Sequence, residues 1–405
     1  MLTALFVSTL LKAELPQQAA AEFAPQRAVW MAWPTYDHKK GLSIAMTTNE
    51  IVRELTKNVK VEMLVPDQKT LKSVRKLLPT NRLSLRVADY SEIWMRDFGP
   101  YFITNGKQKT ILDFGFNFWG YEKTSAPSSV QHEKIDRFLS KKLGVPTRAS
   151  GTIGEGGDRE ANGDGVAMFV KEVEMQRNPT LSFAEVDQKL KSAMGVQKII
   201  WLESGVIEDG LFFKGPLKLP EGDIYMPATT GGHLDNIARF VDANTIVAAE
   251  VTEAEAKKSD LARRNRERME ANYSVLRAAR DIHGRPFTIH RMPVPDLHIE
   301  TLKPGDPVYD FMADVDYRPA HKFPKGKSIK VAHAASYLNF LITNGVVLTS
   351  KLYRSGAPIA LKRKDRETVV QLKKLFPKHR VVAIETRSLN LGGGGIHCIT
   401  SHEPL

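Results

Sequence analysis

The sequence predicts a mixed α/β protein, and three observations carry that prediction. Short apolar runs of strand length recur along the chain, amphipathic stretches separate them, and Gly, Pro, Asn and Asp cluster at the joins from Glu22 onward. The runs AVWMAW at 28–33, KVEMLV at 60–65, KIIWL at 198–202, TIVAAEV at 245–251 and VVAIE at 381–385 read as strands. Stretches 182–194, 253–282 and 366–376 read as helices. No Ser- or Pro-rich linker divides the 405 residues, so residues 22–405 read as one domain, with 1–21 a leader or tail ahead of it.

An apolar fraction of 42% with 26% charged residues excludes a disordered or fibrous chain. The net charge of +12 would attract polyanions. The basic residues, however, interleave with acidic ones in stretches such as KKSDLARRNRERME at 257–270, which read as solvated helix faces, so no nucleic-acid partner is expected. The run LTALFVSTLL at 2–11 is too short to span a bilayer, and no later segment reads as transmembrane, so stable membrane insertion is not expected. That run fits the apolar region of a secretory signal, with Ala19, Ala20 and Ala21 as a cleavage context, although no basic residues precede it. Export to the periplasm or beyond is therefore favoured over the cytoplasm. Self-association into a homo-oligomer is left open.

The single cysteine permits neither an intrachain disulfide nor a multi-cysteine zinc site. Cys398 follows four glycines in LGGGGIHC at 391–398, where the backbone can approach a ligand closely. A free thiol is mostly protonated at neutral pH, so a nucleophilic role requires a cationic neighbour or substrate. A packed, inert cysteine is the plain alternative. In GGHLDN at 231–236, His233 and Asp235 lie two residues apart and share a side of an extended segment. The histidine can move protons and the aspartate can hold a cation, although such pairs are commonly structural hydrogen bonds. WMRDFGP at 94–100 sets Trp94 beside Asp97, a π-face and a carboxylate edge for a flat cation. EGGD at 155–158 adds Glu155 and Asp158 on a Gly turn, where Asp158 reads equally as a turn former.

Several carboxylates, one histidine and one cysteine suit a guanidinium, which stays protonated, is gripped along its edges, and presents an electrophilic carbon to a thiolate. The His-x-Asp and His-Cys doublets lack the usual zinc spacing, so no metal site is expected, and the chemistry requires no cofactor.

With these residues in place, the chain resembles the agmatine deiminases of the guanidino-group modifying (pentein) superfamily, related to the bacterial peptidylarginine deiminases. The matching blocks are AEFAPQRAVWMAWP at 21–34, WMRDFGP at 94–100, FNFWG at 116–120, EGG at 155–157, RNPTLS at 177–182, GHLDNIARFV at 232–241, SYLNFLITNG at 336–345 and LGGGGIHCIT at 391–400. Their collinear order covers nearly all of the chain from Glu22. The resemblance implies a pseudo-fivefold α/β propeller of repeated ββαβ-type units around a central site. It also implies Cys398 as nucleophile, His233 as general acid and base, Asp97 and Asp235 as guanidinium holders, Glu155 as the acidic residue near the histidine, and Trp94 as a wall of the site.

The chain departs from that pattern in places that bear on the substrate. Segment 203–231 is longer, Ala228-Thr229-Thr230-Gly231 replaces the usual acidic residues before the Gly-His pair, and Asp158 stands where Ser is usual, as in the arginine deiminases. FNFWG at 116–120 lacks the arginines with which bacterial peptidylarginine deiminases grip a C-terminal carboxylate, leaving Asn117 and Trp119 as expected substrate-binding residues, with Asp158 as a negative charge near the substrate's tail. The expectation is hydrolysis of agmatine to N-carbamoylputrescine and ammonia through an amidino-cysteine. Peptidyl or free arginine is the rival substrate, and a non-catalytic binding protein with a basic surface is the rival of another class.

Overall fold

The computed structural model describes residues 16–38, 43–317, 321–355 and 357–405, so residues 1–15 of the expected leader or tail at 1–21 lie outside the described residues, while Gln18–Ala19 pairs antiparallel with residues 103–104 and Ala21 is buried. Five of its six sheets repeat one pairing scheme. In each, a short antiparallel pair joins two neighbouring strands, and the inner strand then pairs in parallel with a third. Phe102–Thr104, Lys109–Gly115 and Thr147–Ile153 follow it, as do Arg159–Ala161, Val166–Val170 and Lys198–Leu202. Ala238–Asp242, Thr245–Glu250 and Thr288–Pro293 form the next unit, and Leu341–Thr343, Val346–Lys351 and Arg380–Glu385 the one after. The last unit is split between the chain's ends: Ser401–Pro404 lies antiparallel to Gln26–Ala32, which runs parallel to Lys60–Val65.

Hairpins need only a tight turn, whereas a parallel pair needs a crossover, and amphipathic helices supply it. Pro127–Leu143, Phe183–Met194, Asp260–Ala278, Ile359–Leu375 and Ile44–Leu55 occupy these crossovers. The ββαβ repeat implied by the resemblance is therefore present in the strand pairing. The stretch 253–282 is two helices rather than the one expected. Thr252 caps Glu253–Ala256 through a capping box with Glu255, and Ser259 then caps Asp260–Ala278 by accepting from Ala262 N. Apolar periodicity runs through such a break unaltered.

The sixth sheet departs from the scheme. Leu217–Leu219 and Gly222–Tyr225, both from the long segment 203–231, pair onward to Ile329–Ala332 and Ile299–Leu302. With the helix Pro307–Ala313 it forms its own apolar cluster, including Phe212, Tyr225, Val308, Tyr309, Met312 and Val331. Among the described residues no helix is long and apolar enough to cross a membrane.

A buried carboxylate draws the units together. Glu22 Oε2 accepts from Arg96 Nη2 at 2.8 Å and lies 2.7 Å from His397 Nε2, while Oε1 accepts from Arg239 Nη2 at 2.9 Å and from Ile342 N at 2.9 Å. Burial alone would raise the Glu22 pKa, but His397, Arg239 and Arg96 outweigh it and hold it well below the usual range. Removing one member of a buried charge set leaves the others uncompensated. Glu22→Gln is therefore expected to lower unfolding free energy by about 3–5 kcal/mol, measured by urea denaturation; a loss below about 1 kcal/mol would show the network to be replaceable.

Candidate active site

The site assembles where the units' inner loops meet. Cys398 follows the short helix Arg387–Gly392, and its carbonyl accepts from Arg96 N at 3.0 Å, which fixes it beside the Trp94–Asp97 turn. Its thiol is buried; Asn339 Nδ2 donates to Sγ at 3.1 Å, and Sγ lies 3.7 Å from Asp235 Oδ2. The glycines before it leave room for an aromatic wall: a Cβ at Gly394 would fall 2.6 Å from Trp94 Cζ3 and 3.0 Å from Cys398 Sγ.

Asp235 is fully buried. Its Oδ2 accepts from Asn339 Nδ2 at 2.9 Å and lies 2.8 Å from His397 Nδ1, whereas Oδ1 is buried without a partner. Burial would raise its pKa, but His397 and His233 lower it, so the group is a carboxylate. Asp97 is held by Gly157 N, which donates to Oδ1 at 3.0 Å, and by Trp119 Nε1, which donates to Oδ2 at 2.9 Å. Burial, with Glu155 and Asp235 adding to it, raises the Asp97 pKa.

His233 packs between carboxylates. Its Nε2 is 3.2 Å from Glu155 Oε2, its Nδ1 is 3.9 Å from Asp97 Oδ1, and Nδ1 is buried without a hydrogen-bond partner. Burial alone would lower the pKa, but Asp97, Glu155 and Asp235 overcome it and carry it up to about 10. Glu155 receives Arg177 Nε on both oxygens, at 2.9 and 3.0 Å. Arg177 and His233 thereby outweigh its burial and bring it down to about 2. The Cys398 thiol moves the other way: burial first, then Asp235 and Asp97, push it well above its ordinary value, against the hydrogen bonds from Gly395 and Asn339.

This substrate-free pocket is anionic, with a protonated thiol and two buried polar atoms unsatisfied. Buried polar groups normally find partners, and exceptions mark ligand positions. A planar cation donating to Asp235 Oδ1 and Asp97 would satisfy the carboxylate oxygen and, by its charge, favour the thiolate.

A cleft of about 600 Å³ opens from Trp94, Trp119 and Gly392. Its described lining carries Glu92, Glu122, Asp314 and Asp316 and no Arg, Lys or His; Tyr121, Phe212, Phe213 and Phe311 supply aromatic faces. Burial raises Glu92 to about 7. Segment 203–231 thus gives the cleft aromatic rings rather than a cation.

Two sequence expectations are corrected. Asp158 does not line the cleft: it is fully buried, Oδ1 accepting from Leu234 N at 3.1 Å and Oδ2 from Val170 N at 3.3 Å. Its work is to fix the backbone beside His233, the turn-forming role. Asn117 does not line the cleft either; its Oδ1 accepts from Gly120 N at 2.9 Å. It closes a turn in which Phe118 and Trp119 have φ of 50° and 56°, a conformation costly for non-glycine residues, and this aims the indole at Asp97. The structure brings Trp94, Trp119, Asp97, Glu155, His233, Asp235 and Cys398 into one cluster. Sequence reasoning missed Asn339, His397, Arg177 and Asp209. Asp209, from the long segment, accepts from Thr230 N and Oγ1 and from His233 N at 2.9–3.2 Å, and so pins the histidine's loop.

A repeated ββαβ fold that gathers a buried thiol, an imidazole and opposed carboxylates defines the class of cysteine-dependent hydrolases of guanidino groups. Residues 18–404 match the model of the Porphyromonas-type peptidyl-arginine deiminase family. The chain belongs to that family. It is 28% identical over 393 residues to the agmatine deiminase of Pseudomonas putida, covering 95% of this chain and 94% of that one. The Pseudomonas aeruginosa agmatine deiminase gives the same identity and coverage. Among solved structures, the agmatine deiminase of Enterococcus faecalis shares the fold with a TM-score of 0.75 at 24% identity, covering 96% of each chain.

Gly157 packs so tightly that a Cβ there would lie 2.4 Å from His233 Nδ1 and 3.1 Å from Asp97 Oδ1. Gly157→Ala is expected to cut kcat/KM by about a hundredfold while secondary structure by circular dichroism is kept, because displacement of about 1 Å in such groups has that cost. Unimpaired turnover would show that this face of the imidazole is not used.

Proposed function

We propose that this protein hydrolyses agmatine to N-carbamoylputrescine and ammonia, with residues 22–405 acting as one catalytic unit. The observation that carries the reading is the acidic, aromatic cleft, without a cation in its described lining, whose walls Trp94 and Trp119 also border the buried Cys398, His233, Asp97 and Asp235 cluster. The agmatine deiminases among its relatives support the same substrate.

In this mechanism Asp97 and Asp235 take the edges of the guanidinium. The cation offsets the carboxylates that keep the thiol protonated, and Cys398 releases its proton to water as the substrate enters, His233 being already protonated. Sγ then bonds to the central carbon, His233 Nδ1–H protonates one nitrogen, and ammonia leaves as the C–N bond breaks. The amidino-cysteine so formed is attacked by water, one proton of which His233 takes up; the S–C bond then breaks, Sγ recovers the remaining hydroxyl proton as the carbonyl forms, and the ureido product departs. Glu155, anchored by Arg177, holds the imidazole through Nε2 during both transfers.

Cys398→Ser is expected to lower kcat by at least about a thousandfold while agmatine still binds, because a hydroxyl is far harder to ionise than a thiol. Mass spectrometry of acid-quenched wild-type reactions should place an amidino adduct on the peptide containing Cys398. Activity of the serine variant within about tenfold of wild type would assign another nucleophile.

The tail of agmatine is an amine, whereas arginine adds a carboxylate, and an unpaired carboxylate in an acidic cleft is strongly disfavoured. We expect kcat/KM for agmatine to exceed that for arginine by at least about a hundredfold, roughly 2.7 kcal/mol. Glu92, raised to about 7, is charged above that pH and neutral below it. KM for agmatine should therefore rise as pH falls through 7, and Glu92→Gln should raise KM by about tenfold and remove that pH dependence. An unchanged profile would move the amine to Asp314 or Asp316.

The cleft is larger than a molecule of agmatine's size requires, which favours a second reading, a peptidyl arginine entering from the aromatic wall. Ammonia release from agmatine, arginine and arginyl peptides, compared side by side, separates the two.

A further inference from the structure

The sixth sheet carries a cluster that the proposed reaction does not use. Ile299–Leu302 and Ile329–Ala332 pair antiparallel with Ile299 opposite Ala332. Extending that register sets His298 opposite His333, and His333 N donates to His298 O at 2.9 Å. Side chains alternate along a strand, so Glu300 shares the face of His298. The imidazoles meet edge to face with centroids 4.5 Å apart, and His333 Nε2 lies 3.1 Å from Glu300 Oε2. One donor atom from each residue lies within 4.8 Å of the others.

We propose that His298, Glu300 and His333 bind one divalent transition-metal ion of the zinc type. Two imidazoles and one carboxylate are a zinc ligand set that leaves a fourth position for water. The donors stand on paired strands, so a small side-chain closure rather than backbone movement completes the site. The exposed Arg354 places Nη2 3.5 Å from His298 Nε2, on the lone pair that an ion would take, and acts as a competitor. The ion would clamp the two strands immediately before the segment that leads to Asn339; on that segment Ala334 N donates to Asn390 O at 2.9 Å and Ser336 Oγ donates to Asn236 O at 2.9 Å. The site would thereby brace the cleft wall built on the sixth sheet against the catalytic loops.

The test uses untagged, metal-stripped full-length protein in the Cys398→Ser background, which removes the thiol as a zinc ligand. Zinc titration by calorimetry should give one equivalent, and thermal unfolding should shift upward with zinc. His298→Ala and His333→Ala should each weaken binding by at least about tenfold and abolish the shift. Arg354→Ala should tighten binding. His298 is only partly buried, so His298→Ala decides the matter if His333→Ala fails to fold. Absence of zinc binding in the Cys398→Ser protein, or binding indifferent to His298→Ala, would overturn the proposal.

Discussion

The carboxylate of Glu22 is the constraint on which the rest is built. It lies near the beginning of the described chain, yet its partners Arg96, Arg239, His397 and Ile342 N come from four distant stretches. Arg96 would be a buried cation without a carboxylate if Glu22 were absent, Arg239 would be left with Glu160 alone, and Glu22 would be prohibitive without them. Specificity rather than raw stability is what such a set supplies: the loops can meet in only one arrangement. From His397 the order passes to Asp235, then to Asn339, and finally to the thiol of Cys398. The reacting atom is thus placed by a chain of short contacts that begins at the closure of the fold.

That placement has an electrostatic consequence. Asp97, Glu155 and Asp235 converge on one imidazole, so His233 is held as a cation while the nearby thiol is held neutral. Such a site is poised for an arriving positive charge, which alone relieves the excess of carboxylate and satisfies Asp235 Oδ1. The thiolate, the reactive and oxidisable form, is favoured once a cation is present. On the proposed mechanism, substrate charge is part of the activation of the nucleophile, and neutral analogues lack that contribution.

How much of this could be read beforehand differs by residue. The strands Lys60–Val65 and Lys198–Leu202 fall on the runs that announced them, because each is a continuous apolar segment buried in a parallel pair. Cys398, His233, Asp235, Asp97 and Glu155 stood out because reactive side chains beside glycines are unusual. Asn339 and Arg177 lay inside quoted blocks yet carried no local signal: an amide and a guanidinium take their meaning from partners 59 and 22 residues away. His397 was visible only as half of a His-Cys doublet, since its contacts to Glu22 and Asp235 span 375 and 162 residues. Asp158 misled for the opposite reason. Its neighbours in sequence suggested a charge for the substrate, while its oxygens are taken by two backbone amides that no local pattern reveals.

The long segment and the loss of acidic residues before His233 are connected. Thr229 accepts the Tyr121 hydroxyl through its carbonyl, and Thr230 is bound by Asp209 of the same segment, so these two positions serve as a joint while the neighbouring Ala228 lines the cleft. The segment continues into the sixth sheet, where Phe212 meets Tyr121 with ring centroids 4.5 Å apart and Phe311 at 5.7 Å. Behind those rings, Asp314 and Asp316 follow the helix Pro307–Ala313 into the cleft opposite Glu92. Where the resemblance leads one to expect negative charge on the loop beside the histidine, the acidic residues stand instead on a wall that the sixth sheet and its helix hold in place. A carboxylate moved outward in this way keeps its attraction for a cationic tail over a longer distance, and it no longer adds to the repulsion that opposes ionisation of Cys398. On the proposed reaction, this arrangement separates two demands, recognition of the tail and ionisation of the thiol, that a single acidic loop beside His233 would set against each other.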